Sequence, residues 1–141
     1  MWSELLVTRL FLLTETLFDS CHSVGSFAFL SGGLHVFRGF LRSEFSEENL
    51  EFWLACEDYG VSRSNLQKTK ASSIYSQFIN PDAPKEVNLD AETREALLSV
   101  MDSPCADTFK EAQQKIYNLM AKDSFPRFLR SHQCIEAIKA F

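Results

Sequence analysis

The stretch that decides the fold is Phe37 to Tyr59, FRGFLRSEFSEENLEFWLACEDY. With Leu34 just before it, Phe37 and Leu41 recur at three- and four-residue spacing, and Phe40 widens the stripe, which predicts a short amphipathic helix. Ser46 is a candidate N-cap for the next helix. Glu47 and Glu48 fall in that helix's first turn, where the positive end of the helix dipole favours carboxylates. The helix is expected to run to about Tyr59. Leu50, Phe52, Trp53, Leu54, Ala55 and Cys56 spread apolar surface over most of its circumference, so it should lie between other helices.

Helical periodicity continues downstream. Gly60 to Gln67 is polar and breaks the pattern, after which Ala71, Ile74, Tyr75 and Phe78 predict a helix ending near Asn80. Pro81 and Pro84 then impose an extended stretch through Lys85, Glu86, Val87, Asn88 and Leu89 to a candidate N-cap, Asp90. Helix follows through Leu97, Val100 and Met101 and stops around Pro104. It resumes at Asp107, with Phe109, Ala112, Ile116, Leu119 and Met120 on one face, until Lys122 and Asp123 end it. Ser124 is a candidate cap for a further helix that tolerates Pro126 in its first turn and turns Phe125, Phe128 and Leu129 inward. Ile135 and Ile138 suggest a last turn or two. With no alternating strand pattern and no internal repeat, the fold class is all-α.

Upstream, Ser20 to Gly33 is a Ser/Gly-rich connector closed by Gly32-Gly33. Before it, Leu6, Leu10, Leu13 and Leu17 recur at helical spacing opposite Thr8, Arg9, Glu15 and Thr16. Arg9 and Glu15 interrupt the apolar run, and Glu4 stands where a signal peptide needs positive charge. An amphipathic helix against a core or a membrane surface is therefore expected over this segment, not a membrane span.

At 141 residues the chain is one domain's worth, and its 13 Phe, 3 Tyr and 2 Trp suit a packed helical core. A formal charge of −5 argues against nucleic-acid phosphates as partners and favours a basic protein face. Glu44, Glu47, Glu48, Glu51, Glu57 and Asp58 crowd one short stretch, which reads equally as a solvated helix face. Cys21, Cys56, Cys105 and Cys134 are scattered without a C-x-x-C pair, so reduced thiols are expected and a metal site is not. No phosphate-binding glycine loop, zinc-protease or serine-hydrolase motif occurs, and His22, His35 and His132 are isolated, so no cofactor and no catalytic group is expected. Glu47, Glu48 and Glu51 lie close together but lack a buried pocket to tune them for acid–base work.

SEENLEFWLACED within Phe37–Tyr59, with IYSQFINPDAPKEVNLDAETRE (Ile74 to Glu95) and FKEAQQKIYNLMAKDSFPRFLRS (Phe109 to Ser131), resembles the regulator of G-protein signalling (RGS) family, closest to its small single-domain members. The resemblance covers about Gly33 to Phe141, dividing the chain into an atypical segment, 1–32, and an RGS domain, 33–141. It implies an RGS-type bundle of about nine helices with a central four-helix bundle. It also implies a GTPase-activating protein for heterotrimeric Gα subunits that stabilises their switch regions in the transition-state conformation and so attenuates receptor signalling. Carried over residue by residue, Ser46, Glu48 and Asn49 match the first contact loop, Glu86, Asn88 and Asp90 the second, and Leu119, Asp123, Ser124 and Arg127 the third. Asn88 matches the residue nearest the attacking water's Gln. Cys56 matches a possible palmitoylation site.

The implied partner is an activated Gα of the Gi or Gq class, met by a monomer in the cytoplasm with peripheral contact at the inner plasma membrane. Relatives open with a W-x-x-S-x-x-x-L-L helix, which Trp2-Ser3-Glu4-Leu5-Leu6 echoes at the wrong distance, and the loop after Tyr59 lacks their Lys-rich start. Two other functions stay open on the sequence: a binding or scaffold module of the same fold without activator activity, and a membrane-directed adaptor working through residues 1–31.

Overall fold

The computed structural model describes residues 35–140, with side chains as far as Glu136. The segment 1–32, with its expected amphipathic helix, lies outside these residues, as does Leu34. The described chain forms α1 (35–43), α2 (Glu47–Gly60), α3 (Ser64–Ile74), α4 (Ala91–Ser99), α5 (Lys110–Leu119), α6 (Phe125–Leu129) and α7 (His132–Ala140). A π-helical turn, Tyr75–Ile79, extends α3, and a second, Met120–Ser124, joins α5 to α6. Among the described residues every regular element is helical, as the periodicity requires. No described helix is long and apolar enough to cross a membrane.

The chain folds as two compact units, one holding the described residues up to Glu47 with those from Leu119 onward, the other Glu48–Asn118. In the first, the i, i+3, i+4 spacing of Phe37, Phe40 and Leu41 puts all three on the buried face of α1. The Phe37 ring meets Phe125 edge-on at 5.4 Å and lies 5.1 Å from Phe128, which also contacts Phe40 at 5.5 Å. Such offset and edge-to-face pairs add to the area term.

In the second unit α2 buries Asn49, Leu50, Phe52, Trp53, Cys56 and Tyr59. Phe52 packs on Phe78 at 5.6 Å, while Tyr59 meets Phe109 edge-on at 5.0 Å and donates its hydroxyl to the Cys105 carbonyl at 2.6 Å. Gln113 of α5 donates to the Trp53 carbonyl and to Glu57. The helix thus has partners on several sides, as its apolar circumference predicted.

Three boundaries and one helix face depart from the sequence pattern. The expected break over Gly60–Gln67 shrinks to residues 61–63, because α3 starts at Ser64 with a polar, solvent-facing first half that Ala71 and Ile74 anchor. Helix α4 stops at Ser99, where a tight turn from the Leu97 carbonyl to the Val100 amide leaves Leu98 and Val100 exposed. Helix α5 begins at Lys110 rather than Asp107, after a turn in which Thr108 accepts the Cys105 amide. Among the side chains of α7 described, Cys134 is buried and Ile135 faces out at 43% exposure, while Ile138 lies outside them.

Truncating the aromatic hub, Phe37→Ala, should cost roughly 3–5 kcal/mol in urea unfolding, whereas Leu98→Ala, on the exposed end of α4, should stay within about 0.5 kcal/mol.

Candidate functional site

In the unit that holds α1, the helix ends in a Schellman motif: the Phe45 amide bonds the Arg42 carbonyl at 3.2 Å and the Ser46 amide the Leu41 carbonyl at 2.9 Å. The position after the cap in that motif needs a left-handed backbone, normally glycine's. Here it is Phe45, at φ 58° and 92% exposed. For an L-residue this conformation costs roughly 1–2 kcal/mol, and no burial of the ring offsets it. Sequence reading missed Phe45; the signal was an aromatic residue where a helix end calls for Gly. Ser46 precedes α2, and its hydroxyl donates back to the Leu41 carbonyl at 3.5 Å instead of capping that helix.

The same unit holds the third matched group. Arg127 donates to Asp123 at 2.5 Å and to Glu44 at 2.6 Å, tying the end of α1 to the start of α6. Glu44 and then Asp123 raise the arginine's pKa, so its charge is permanent. Ser124 is not the expected N-cap: the π turn continues helical backbone through it, at φ −64° and ψ −44°, and makes no side-chain cap there. Ser124 is buried, and Leu119 is half-buried. Asp123 stays exposed.

In the unit that holds α2, Glu48 is half-exposed, and Asn49 is 8% exposed with no side-chain hydrogen bond to a described residue. No sealed polar atom among the described residues lacks a partner, so the Asn49 amide faces an opening. One turn on, Glu51 pairs with Lys85 at 2.5 Å, which ties α2 to the loop holding the second matched group. There Glu86, Asn88 and Asp90 are exposed while Val87 and Leu89, alternating with them, are buried. Asn88 has no side-chain partner among the described residues. Asp90 is the N-cap expected of it: it accepts from the Thr93 amide at 3.0 Å, the Thr93 hydroxyl at 2.7 Å and Lys115 at 3.0 Å. These bonds, Thr93's first, hold its carboxyl well below the usual carboxylate range.

Cys56 is buried, and desolvation pushes its thiol well above the ordinary value, so acylation there would require α2 to open. Cys56, Cys105 and Cys134 are free thiols, and no described His, Cys, Asp or Glu residues cluster as a metal site would need.

Exposed amides and carboxylates gathered where helices meet loops define an all-α module with its polar chemistry at its loop ends. The sequence profile of the family described as Regulator of G protein signaling domain matches residues 28–133, a range containing every site residue named above. Regulator of G-protein signaling 21 of Homo sapiens is 57% identical over 101 residues, 70% of this chain and 66% of that protein. Regulator of G-protein signaling 1 of Homo sapiens is 54% identical over 99 residues, covering 70% and 47% of the two chains. Regulator of G-protein signaling 8 of Rattus norvegicus is 50% identical over 107 residues, covering 75% and 59%. The chain belongs to the Regulator of G protein signaling domain family, and it spans about half the length of the first curated relatives it matches.

Glu47, between Ser46 and Glu48 in sequence, accepts from Arg42 and from Arg38, whose hydrogen bonds lower its pKa from 4.5 to about 2. A depressed carboxylate contributes stability that is complete above its unfolded pKa and lost as pH falls through the folded one. Urea titrations should therefore show a wild-type loss between about pH 4.5 and 2 that Glu47→Gln does not share.

Proposed function

We propose that this chain binds an activated α subunit of a heterotrimeric G protein, of the Gi or Gq class, and accelerates its GTP hydrolysis without adding a catalytic group. The observation that carries the proposal is Asn88: an exposed, unpaired amide held between two buried anchors, Val87 and Leu89, in a loop with no regular structure of its own. An amide so fixed can donate and accept at once, which suits a Gln that must orient a water. The printed names of the relatives, regulators of G-protein signalling, favour the same function.

The physics needs no more than this. A Gα supplies its own transition-state arginine in cis, so an activator has only to bind the switch loops best in their reactive geometry. That differential binding lowers the barrier. Glu48, Asn49, Glu86, Asn88 and Asp90 on one unit, and Ser46, Leu119, Asp123, Ser124 and Arg127 on the other, are the side chains assigned to that contact. Phe45 joins them, because a strained and exposed aromatic is kept at a stability cost that binding would explain. The formal charge of −5 favours encounter with basic switch segments.

Single-turnover GTP hydrolysis by a Gi-class α subunit tests the proposal. The wild-type chain should accelerate it, and Asn88→Ala should lose about tenfold or more of that acceleration, the equivalent of ~1.4 kcal/mol of transition-state binding. A folded wild-type chain that leaves the rate unchanged would refute the activator function. Phe45→Gly should gain about 1 kcal/mol of stability by relieving the left-handed backbone while weakening the complex; a glycine variant that binds as tightly as wild type would remove Phe45 from the contact.

A further inference from the structure

We infer that Arg94, on the second turn of α4, is a positioning residue for Asn88: its guanidinium grips the backbone on both sides of that residue and holds the amide where the proposed Gα contact needs it. The inference rests on the function proposed above and extends it to a side chain outside the contact set assigned there.

Arg94 donates from Nε to the Leu89 carbonyl at 3.2 Å, from Nη2 to the Val87 carbonyl at 2.7 Å and from Nη1 to the Ile79 carbonyl. Its Nη2 also lies 3.5 Å from the Glu86 carboxylate. The residues before and after Asn88 are thus bonded to one planar group, and the third carbonyl, on Ile79, ties that group to the π turn that ends the preceding helix. A guanidinium offers five donors in a fixed fork, so three carbonyls held at once fix position and orientation together. An ammonium at the same place is a point donor that cannot span them.

The loop depends on this grip because its own amides do not reach the Ile79 and Leu89 carbonyls. Lys85 reaches the Gln77 carbonyl at 3.1 Å, Val87 that of Phe78 at 2.9 Å, and Leu89 that of Val87 at 3.1 Å. These bonds satisfy donors in the loop but leave the carbonyls of Ile79 and Leu89 to Arg94, which also adds a second donor to that of Val87. The arginine is anchored in turn. Its amide bonds the Asp90 carbonyl at 3.1 Å, and Asp90 is fixed by Thr93 and by Lys115 of α5. The path from α5 to Asn88 therefore runs through Asp90, the first turn of α4 and the guanidinium. Arg94 is only 18% exposed, so it serves this loop and not solvent.

The test is a double-mutant cycle in single-turnover hydrolysis by a Gi-class α subunit, using the full chain as wild type, Arg94→Lys, Asn88→Ala and the double variant. At saturating chain, Arg94→Lys should lower the maximal rate about tenfold, the scale of a small misplacement of a positioning group. In the Asn88→Ala background it should change that rate less than about twofold, because its effect is already gone. Equal losses in both backgrounds, or an undiminished rate in Arg94→Lys, would overturn the inference. A merely structural arginine would lower thermal stability and the apparent affinity but not this coupling. Should the lysine chain not fold, Arg94→Met, which keeps the apolar stem, replaces it in the same cycle. Amide exchange reads the clamp with no Gα present: Arg94→Lys should speed exchange at Val87 and Leu89 about tenfold while α2 amides stay protected, and unchanged exchange refutes the clamp. A wild-type chain that shows the exchange effect but no acceleration would bring down the proposed function and leave the clamp standing.

Discussion

Backbone carbonyls that leave a helix must find donors, and between Ile79 and Asp90 this chain has removed the usual ones. Pro81 and Pro84 forbid helix and contribute no amides, so the loop's own donors do not reach every acceptor. The surrounding unit is arranged around that requirement. The π turn at Tyr75–Ile79 delivers the Ile79 carbonyl, Val87 and Leu89 sink as apolar anchors, and Arg94 reaches back from α4 to supply three donors. Asn88, caught between the anchors, inherits rigidity from bonds that it does not itself make. In the proposed complex a loop held in this way would need little further ordering, which is where an exposed amide in a flexible loop would lose affinity.

The other unit reaches the same end by a different route. Its core is an aromatic cluster, Phe37, Phe40, Phe125 and Phe128, that fixes the end of α1 and the start of α6. On that base Glu44, Arg127 and Asp123 form an ion-paired group at the surface. Exposed pairs of this kind contribute little to stability, so their value lies in holding side chains in register. Phe45 beside them is the opposite case, a residue that weakens the fold locally and is tolerated because the Schellman bonds over-determine the turn.

Much of this was legible in the sequence. Aromatic and aliphatic residues at helical spacing marked the buried faces of α1, α2, α5 and α6, because a period of 3.6 leaves an apolar stripe no other structure explains. Asp90 was legible as a cap because its partner, Thr93, lies three residues away. The two serine caps were not. Ser46 follows a Schellman motif whose bonds come from the helix before it, and Ser124 sits inside a π turn, a backbone insertion with no sequence period of its own. Val100 and Ile135 show the same limit: an apolar residue past a helix end, or one position off the stripe, keeps its hydrophobicity and loses its burial. Arg94 was illegible for a further reason, since a sequence shows a donor but not the carbonyls that will need it.

The departures from local rules are not spread evenly. One π turn leads into the loop of Glu86, Asn88 and Asp90; the other contains Asp123 and Ser124; and the left-handed Phe45 adjoins Ser46. Each falls beside one of the three groups that the family resemblance picked out on sequence alone. Regular helix is the cheapest way to satisfy a backbone, so an extra residue in a helical turn or an aromatic in a glycine conformation persists only where something opposes its loss. Packing opposes it at both π turns, which bury Phe78, Ile79, Met120 and Ser124, but not at Phe45, which is exposed. The proposed Gα contact would supply at Phe45 what packing does not, while the two π turns are explained from within the fold.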